Sequence, residues 1–284
     1  MTAQNLAGSS SPSRIPDLRL SWPLRAWLAV EVMFGVMSML TISLTPADTA
    51  RHFAWPIKPE VTAALLGAFY LASAWVFVLA VFARRWQNVR VFVIPSILFS
   101  STELIATFLH WDRFSVGSLP FNVWFASYLL PPPLFIGCYL WHQGRSLPIP
   151  LRTDEPLAPG VRGAMRVLGA ALALLGLAAL FEPSALIALM AWKFTPLTAR
   201  ALSGWILALG AMMLSAAHEN DRTRARIISP FLLLLLPAVV LEVSRFAGQV
   251  TWSHPGVVGG LAVLAATFAI GVYLARGDWR QTLQ

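Results

Sequence analysis

Three carboxylates, Glu31, Glu103 and Glu242, fall inside stretches of sequence that are otherwise apolar. A charge at membrane depth is costly, so such groups mark either buried pairs or the path of an ion, proton or solute. Glu103 lies eight residues after Pro95 and Glu242 twelve after Pro230, each in the third apolar stretch of its half of the chain. The difference of four is about one helical turn, so the two carboxylates project from one face of equivalent helices. His110 and Arg245 each stand fifteen residues after the same prolines and place a basic group further along. Glu242 and Arg245 are three apart, close enough to pair on a helix. Thr107 and the hydroxyls of "SSTE", 100–103, add polar groups to the first copy. Two readings fit. These are pairs that hold the halves in register, or Glu103, Thr107, His110, Glu242 and Arg245 line a shared polar cavity that binds a small solute or ion. Glu31, about two turns into the first stretch, reads as a structural group able to reach Arg25 or solvent.

The fourth stretch carries "YLLPPPLFIG", with three prolines at 131–133 in mid-span. Each removes a backbone donor and clashes with the preceding turn, which predicts a broken helix. Freed carbonyls at such a break can coordinate a cation or bond a solute, which makes Pro131 and Pro132 candidate site positions. The plainer reading is a kinked packing helix.

These groups need helices to position them. The chain is 57% hydrophobic and 12% charged, with a mean hydropathy of +0.66; a soluble domain carries about 25% charged residues. Eight apolar stretches approach the roughly 20 residues that cross a bilayer: 24–44, 61–83, 91–109, 121–141, 167–181, 197–217, 227–246 and 256–275. They lack strand-like alternation, so the expected fold is all-α, a polytopic membrane protein. Placed on this topology, 15 Lys and Arg fall on one side and six on the other, which puts both termini in the cytoplasm. The net charge of +8 therefore sets orientation, and no nucleic-acid role is needed. Nineteen arginines against two lysines fit a GC-rich bacterial genome, and the expected location is a bacterial inner membrane.

The punctuation of the chain is written twice. "AWPIKP" at 54–59 returns as "AWKFTP" at 191–196, and at the same offset of 137 Arg25 meets Arg162, Pro46 meets Pro183 and Gly67 meets Gly204. At 135, Pro95 meets Pro230 and Pro120 meets Pro255. Four helices per copy is an even number, so the expected repeats are parallel, related by a twofold axis along the membrane normal. Trp55 and Trp192 are expected to anchor at the outer interface, with Pro59 and Pro196 starting the next helix. The expected domains are a flexible, Ser-rich cytoplasmic tail at 1–20, a first repeat at 21–142, a cytoplasmic linker at 143–160, a second repeat at 161–276 and a tail at 277–284. The small residues Gly169, Ala173 and Gly176, and Gly256 with Gly260, read as surfaces of close helix packing.

Other chemistry is thin. The lone Cys138 excludes an internal disulfide. The five histidines sit near span ends without ligand spacing, so no metal, haem or other cofactor is expected. No phosphate loop, dinucleotide fingerprint or nucleophile elbow is present, and no catalytic residue can be named. The second half resembles a family of uncharacterised bacterial multi-pass membrane proteins. The resemblance rests on Arg166, Pro183, Trp192, "TPLTARALSGW" at 195–205 and the Arg-rich turn at 221–226, and covers 161–252. It implies a membrane location and no activity. Three functions stay open: a site for a small solute or ion between the repeats, a non-catalytic subunit or assembly factor docking on a membrane partner or a second copy, and a membrane-embedded enzyme. A Glu-lined cavity would favour the first, a sealed bundle the second, and clustered His, Asp and Glu at one mouth the third.

Overall fold

A computed structural model describes residues 18–145 and 155–283. Most of the expected tail at 1–20 and the middle of the expected linker at 143–160 lie outside them. The long helices are α1 (Trp22–Ser43), α2 (Glu60–Phe82), α3 (Trp86–Leu109), α4 (Leu119–Leu129), α5 (Pro131–Gln143), α6 (Pro159–Phe181), α7 (Pro196–Glu219), α8 (Ser229–Ser244) and α9 (Pro255–Ala275). α4 and α5 together make one 25-residue crossing, and helical turns from Arg222 extend α8 to a crossing of 23. Among the described residues, eight helices are thus long and apolar enough to span a membrane.

α7 is the most enclosed crossing, 72% buried, and α1 the least, 17%; α2 and α7 form the centre while α1 and α9 lie at the lipid edge. α1 packs on α2 and α6 on α7. α2 packs on α8, and α7 packs on α3. α8 then carries α9, and α3 carries α4 and α5.

Glycine decides how closely the first of these pairs approach. A methyl group on Gly176 of α6 would sit 2.5 Å from the amide nitrogen of Leu207, and one on Gly210 of α7 would sit 2.4 Å from that of Ala173. α6 and α7 therefore meet backbone to backbone, the small-residue contact of membrane helices. α1 and α2 meet that closely at the end of α1, where Gly67 abuts Ser43. At mid-depth the nearest atom to a methyl on Gly35 would be 3.9 Å away, on Ala74. α1 and α2 are in ordinary contact there rather than backbone to backbone.

The ends are tied by side chains. The Arg25 guanidinium donates to the carbonyls of Val81 and Ala83, which end α2, and Arg162 donates to the Ala217 carbonyl at 2.9 Å near the end of α7. On the opposite face the Ser115 amide bonds the Ala54 carbonyl at 3.0 Å, and the Thr251 amide bonds that of Ala191 at 2.8 Å. Pro196 is the first residue of α7, behind a Thr195 side chain that caps the Thr198 amide, while Pro59 sits one position outside α2. Trp192 reaches across to Thr62 of α2, Nε1 to Oγ1 at 2.9 Å. Trp55 is 2% exposed and packed among Phe53, Phe114 and Trp124, so it faces protein rather than lipid.

The chain after α9 folds back. A short helix α10 (Trp279–Leu283) places its Thr282 carbonyl 2.7 Å from Asn88 Nδ2. Arg226, fully buried, donates to the carbonyls of Leu274, Arg276 and Asp278, to Thr282 Oγ1 and to Glu155. This one guanidinium gathers the end of α9, α10 and the segment before α6.

Candidate functional site

A cavity lies between α1, α2, α3, the α4–α5 junction, α7 and α8, bounded by residues near the middle of their crossings. The space open to water centres is about 70 Å³, and a water needs roughly 10–15 Å³ by that measure, so it holds a handful. Glu31 of α1 is its one charged residue. Glu31 Oε1 and the Trp27 indole Nε1 are both buried and close enough to interact, short of full hydrogen-bond geometry.

Hydroxyls line the walls. Ser38 comes from α1, Ser73 from α2, Ser96 and Ser100 from α3 and Ser127 from α4. Tyr70 and Tyr128 bond each other hydroxyl to hydroxyl at 2.6 Å, joining α2 to α4. Rings fill the remaining boundary. Trp205 of α7 has its centroid 4.1 Å from that of Phe99 and 5.0 Å from that of Tyr70, and Phe34, Phe77, Phe135 and Phe231 complete the set.

The proline run shapes one side. Helix α4 ends at Leu129, and Pro131 is the first residue of α5, where a missing amide costs least. Residues 131–133 lack an amide hydrogen, so the carbonyls of Ser127, Tyr128 and Leu129 lose their helical donors. Ser127, Tyr128 and Pro131 all line the cavity; Pro132 does not.

The other expected site residues sit elsewhere. Glu103 is 1% exposed, with neither carboxylate oxygen partnered. It packs on α7, where a methyl on Gly204 would fall 2.7 Å from its Oε1. Thr107 is a helix-to-helix bond, accepting from Trp124 Nε1 at 3.0 Å and donating to the Glu103 carbonyl at 2.8 Å. Glu242 pairs with Arg245, whose guanidinium also bonds the Ser43 carbonyl at the end of α1 at 2.8 Å. His110 meets Arg200 of α7. Neither Glu103 nor Glu242 lines this cavity. Their positions fit the pairing reading for Glu242 and a buried, unpaired carboxyl for Glu103.

Glu31 is the cavity acid, and Arg25, its expected partner, is occupied with the end of α2. The signal for Glu31 exists in the sequence. At the offset of 137, Glu31, Ser38, Tyr70 and Ser73 stand opposite Leu168, Leu175, Leu207 and Gly210. At 135, Ser96, Ser100 and Tyr128 stand opposite Phe231, Leu235 and Val263. Polar groups thus occur in one half at positions that are apolar or small in the other. Among the described residues no three His, Cys, Asp or Glu side chains gather as a metal-binding group. No protein-family model, curated protein or solved structure matches the chain.

Proposed function

We propose that this integral membrane protein binds a small solute or ion in the mid-membrane cavity that holds Glu31, as the central station of a transport path. One observation carries the reading: Glu31, an acid with a buried oxygen that makes no full hydrogen bond, lines a space at membrane depth whose mostly apolar wall also carries serine and tyrosine hydroxyls. Isolated charges there are retained at a cost and mark ligand and ion paths more often than scaffolding. The proline run adds carbonyls without helical donors at Ser127 and Tyr128, two residues that line the cavity, although the backbone at Leu130 keeps helical dihedrals.

The same proposal includes a two-repeat architecture in an inner membrane, with both termini cytoplasmic. Its support is the matched packing of α1 on α2 with α6 on α7, and of α2 on α8 with α7 on α3. The paired loop bonds from Ser115 to Ala54 and from Thr251 to Ala191 add to it. On this reading α6 and α7 form a solid counterpart to the hollowed pair α1 and α2.

Filling the cavity tests the function. Native mass spectrometry of purified protein should find a small non-covalent adduct on the wild type that Ser100→Phe and Ser73→Phe each remove. An adduct retained by both filled variants would place binding elsewhere. Topology is tested in a Cys138→Ser background. Asp112, well exposed at 74%, should label from outside as cysteine, and the exposed Arg280 should not; the reverse pattern would invert the orientation.

A further inference from the structure

The cavity has a mouth. α1 makes a packed interface with α2 but none with α4 or α5. The described contact between α1's start and α5 is at the inner end, where the Ser21 amide bonds His142 Nε2 at 3.2 Å. The lining residues Glu31, Phe34, Gly35 and Ser38 of α1 keep partial exposure, as do Ser73, Phe77, Ser96, Phe99 and Ser127, while Trp205, Phe231 and Met212 on the far wall and Phe135 of α5 are buried. In a bilayer the unpacked side of α1 faces acyl chains, not water. A ligand using this mouth carries an apolar portion.

The inner wall specifies the rest of the molecule. Glu31 is the one formal charge, and no Lys, Arg or His lines the space. An anionic head would meet a carboxylate with no cation to offset it. A cation meets that carboxylate among closely set aromatic rings, Tyr70, Phe99 and Trp205 among them, a setting that suits a cation better than an anion. The hydroxyls accept hydrogen bonds but are not needed by a quaternary ammonium, which has no proton to donate. The small enclosed volume suits a head of a few carbons, with its chain extending between α1 and α5.

We infer that the cavity is a site for a lipophilic organic cation, a compact ammonium head on an alkyl chain, admitted from the bilayer between α1 and α5. This rests on the cavity reading above and narrows its ligand class.

The test is calorimetric titration of the full-length protein in maltoside micelles, with blank micelles subtracted. The probes are tetradecyltrimethylammonium, tetradecanoate and tetradecanol, which share a chain and differ in head charge. The cation should show one saturable site, and the alkanoate none. Glu31→Gln should weaken the cation about tenfold or more, and Phe34→Leu should weaken it less, as loss of one of several rings. An unchanged melting temperature in each variant separates lost binding from lost fold. Equal binding of alcohol and cation, unaffected by Glu31→Gln, would overturn the charge assignment and leave the cavity reading standing. No saturable site for any of the three probes would overturn this inference, and the adduct test on the filled variants would then decide the cavity reading separately.

Discussion

The guanidinium of Arg200 meets the imidazole Nε2 of His110 at 2.8 Å while its Nε holds the Leu180 carbonyl, also at 2.8 Å. Arg200 has only protons to give, so Nε2 must accept and His110 is neutral in this bond. Burial holds the His110 pKa below its usual value, and the Arg200 charge lowers it further, against a smaller opposing pull from Asp112. A depressed folded-state pKa gives stability that is present above the unfolded value, about 6.5 for histidine, and lost as pH falls through the folded one. The melting temperature in neutral micelles should therefore drop between pH 7 and pH 5. His110→Gln keeps an acceptor and cannot titrate, so it should flatten that slope. An unchanged slope in the variant would show that another group carries it.

Arg245 does for α1 what Arg200 does for α6. Each donates to a carbonyl that closes a peripheral helix, Ser43 in one case and Leu180 in the other. The close approach of the partner helices differs, and glycine reports it. Gly176→Ala forces a methyl onto the backbone of Leu207, and overpacking of this kind costs about 1–3 kcal/mol. Gly35→Ala meets only Ala74 at 3.9 Å, ordinary contact. The first variant should lose several degrees of melting temperature or fail to accumulate, and the second should match the wild type. Equal behaviour would refute the contrast between a solid pair and a hollow one.

The eight crossings were legible because composition and length alone decide what can span lipid, and the helix bounds moved by only a few residues at most ends. The Glu242–Arg245 pair was legible because three residues on one helix fix its geometry. The interruption at 130 was legible because proline chemistry is local, but Leu130 keeps helical dihedrals, so the helix is interrupted in its hydrogen bonds rather than broken as expected. The cavity was not. Glu31, Tyr70, Phe99, Tyr128 and Trp205 come from five helices, and no spacing along one helix announces which of their faces converge. Counting from Pro95 gave Glu103 the right face of α3 for burial. It could not say that the glycine backbone of α7 would close over it. Trp55 misled for a related reason: tryptophan at a span end suits an interface, but a local aromatic cluster buries it here.

Ahead of α6, Glu155 binds Arg222 and lies 3.3 Å from the buried Arg226. The hydrogen bond from Arg222 holds the Glu155 pKa below the ordinary carboxylate value, with the charges of Arg222 and Arg226 adding to it. Its contribution is thus present above about pH 4.5 and lost as pH falls further. Glu155→Gln should speed hydrogen exchange in α10 at pH 7, and the difference from the wild type should shrink as the pH falls below the ordinary carboxylate value. Gly277 adds a second handle. Its φ of +117° and a methyl clash at 2.3 Å with Arg226 both resist a side chain. Gly277→Ala should release α10 at every pH, and protection retained in both variants would show that Arg226 is not the organiser.

Glu31 offers the sharpest separation of function from stability. Its buried Oε1 makes no full hydrogen bond, and the position opposite it in the other half is Leu168. An unpaired polar group at membrane depth costs stability that an apolar side chain of similar size would not. Glu31→Leu should therefore raise the melting temperature while removing adduct and cation binding, the trade expected of a functional residue held against the fold's preference. A scaffolding carboxylate would behave in the opposite way, since its loss would leave partners unsatisfied and lower the melting point. Measuring both quantities on one preparation decides between the two, because only a ligand site predicts that they move apart.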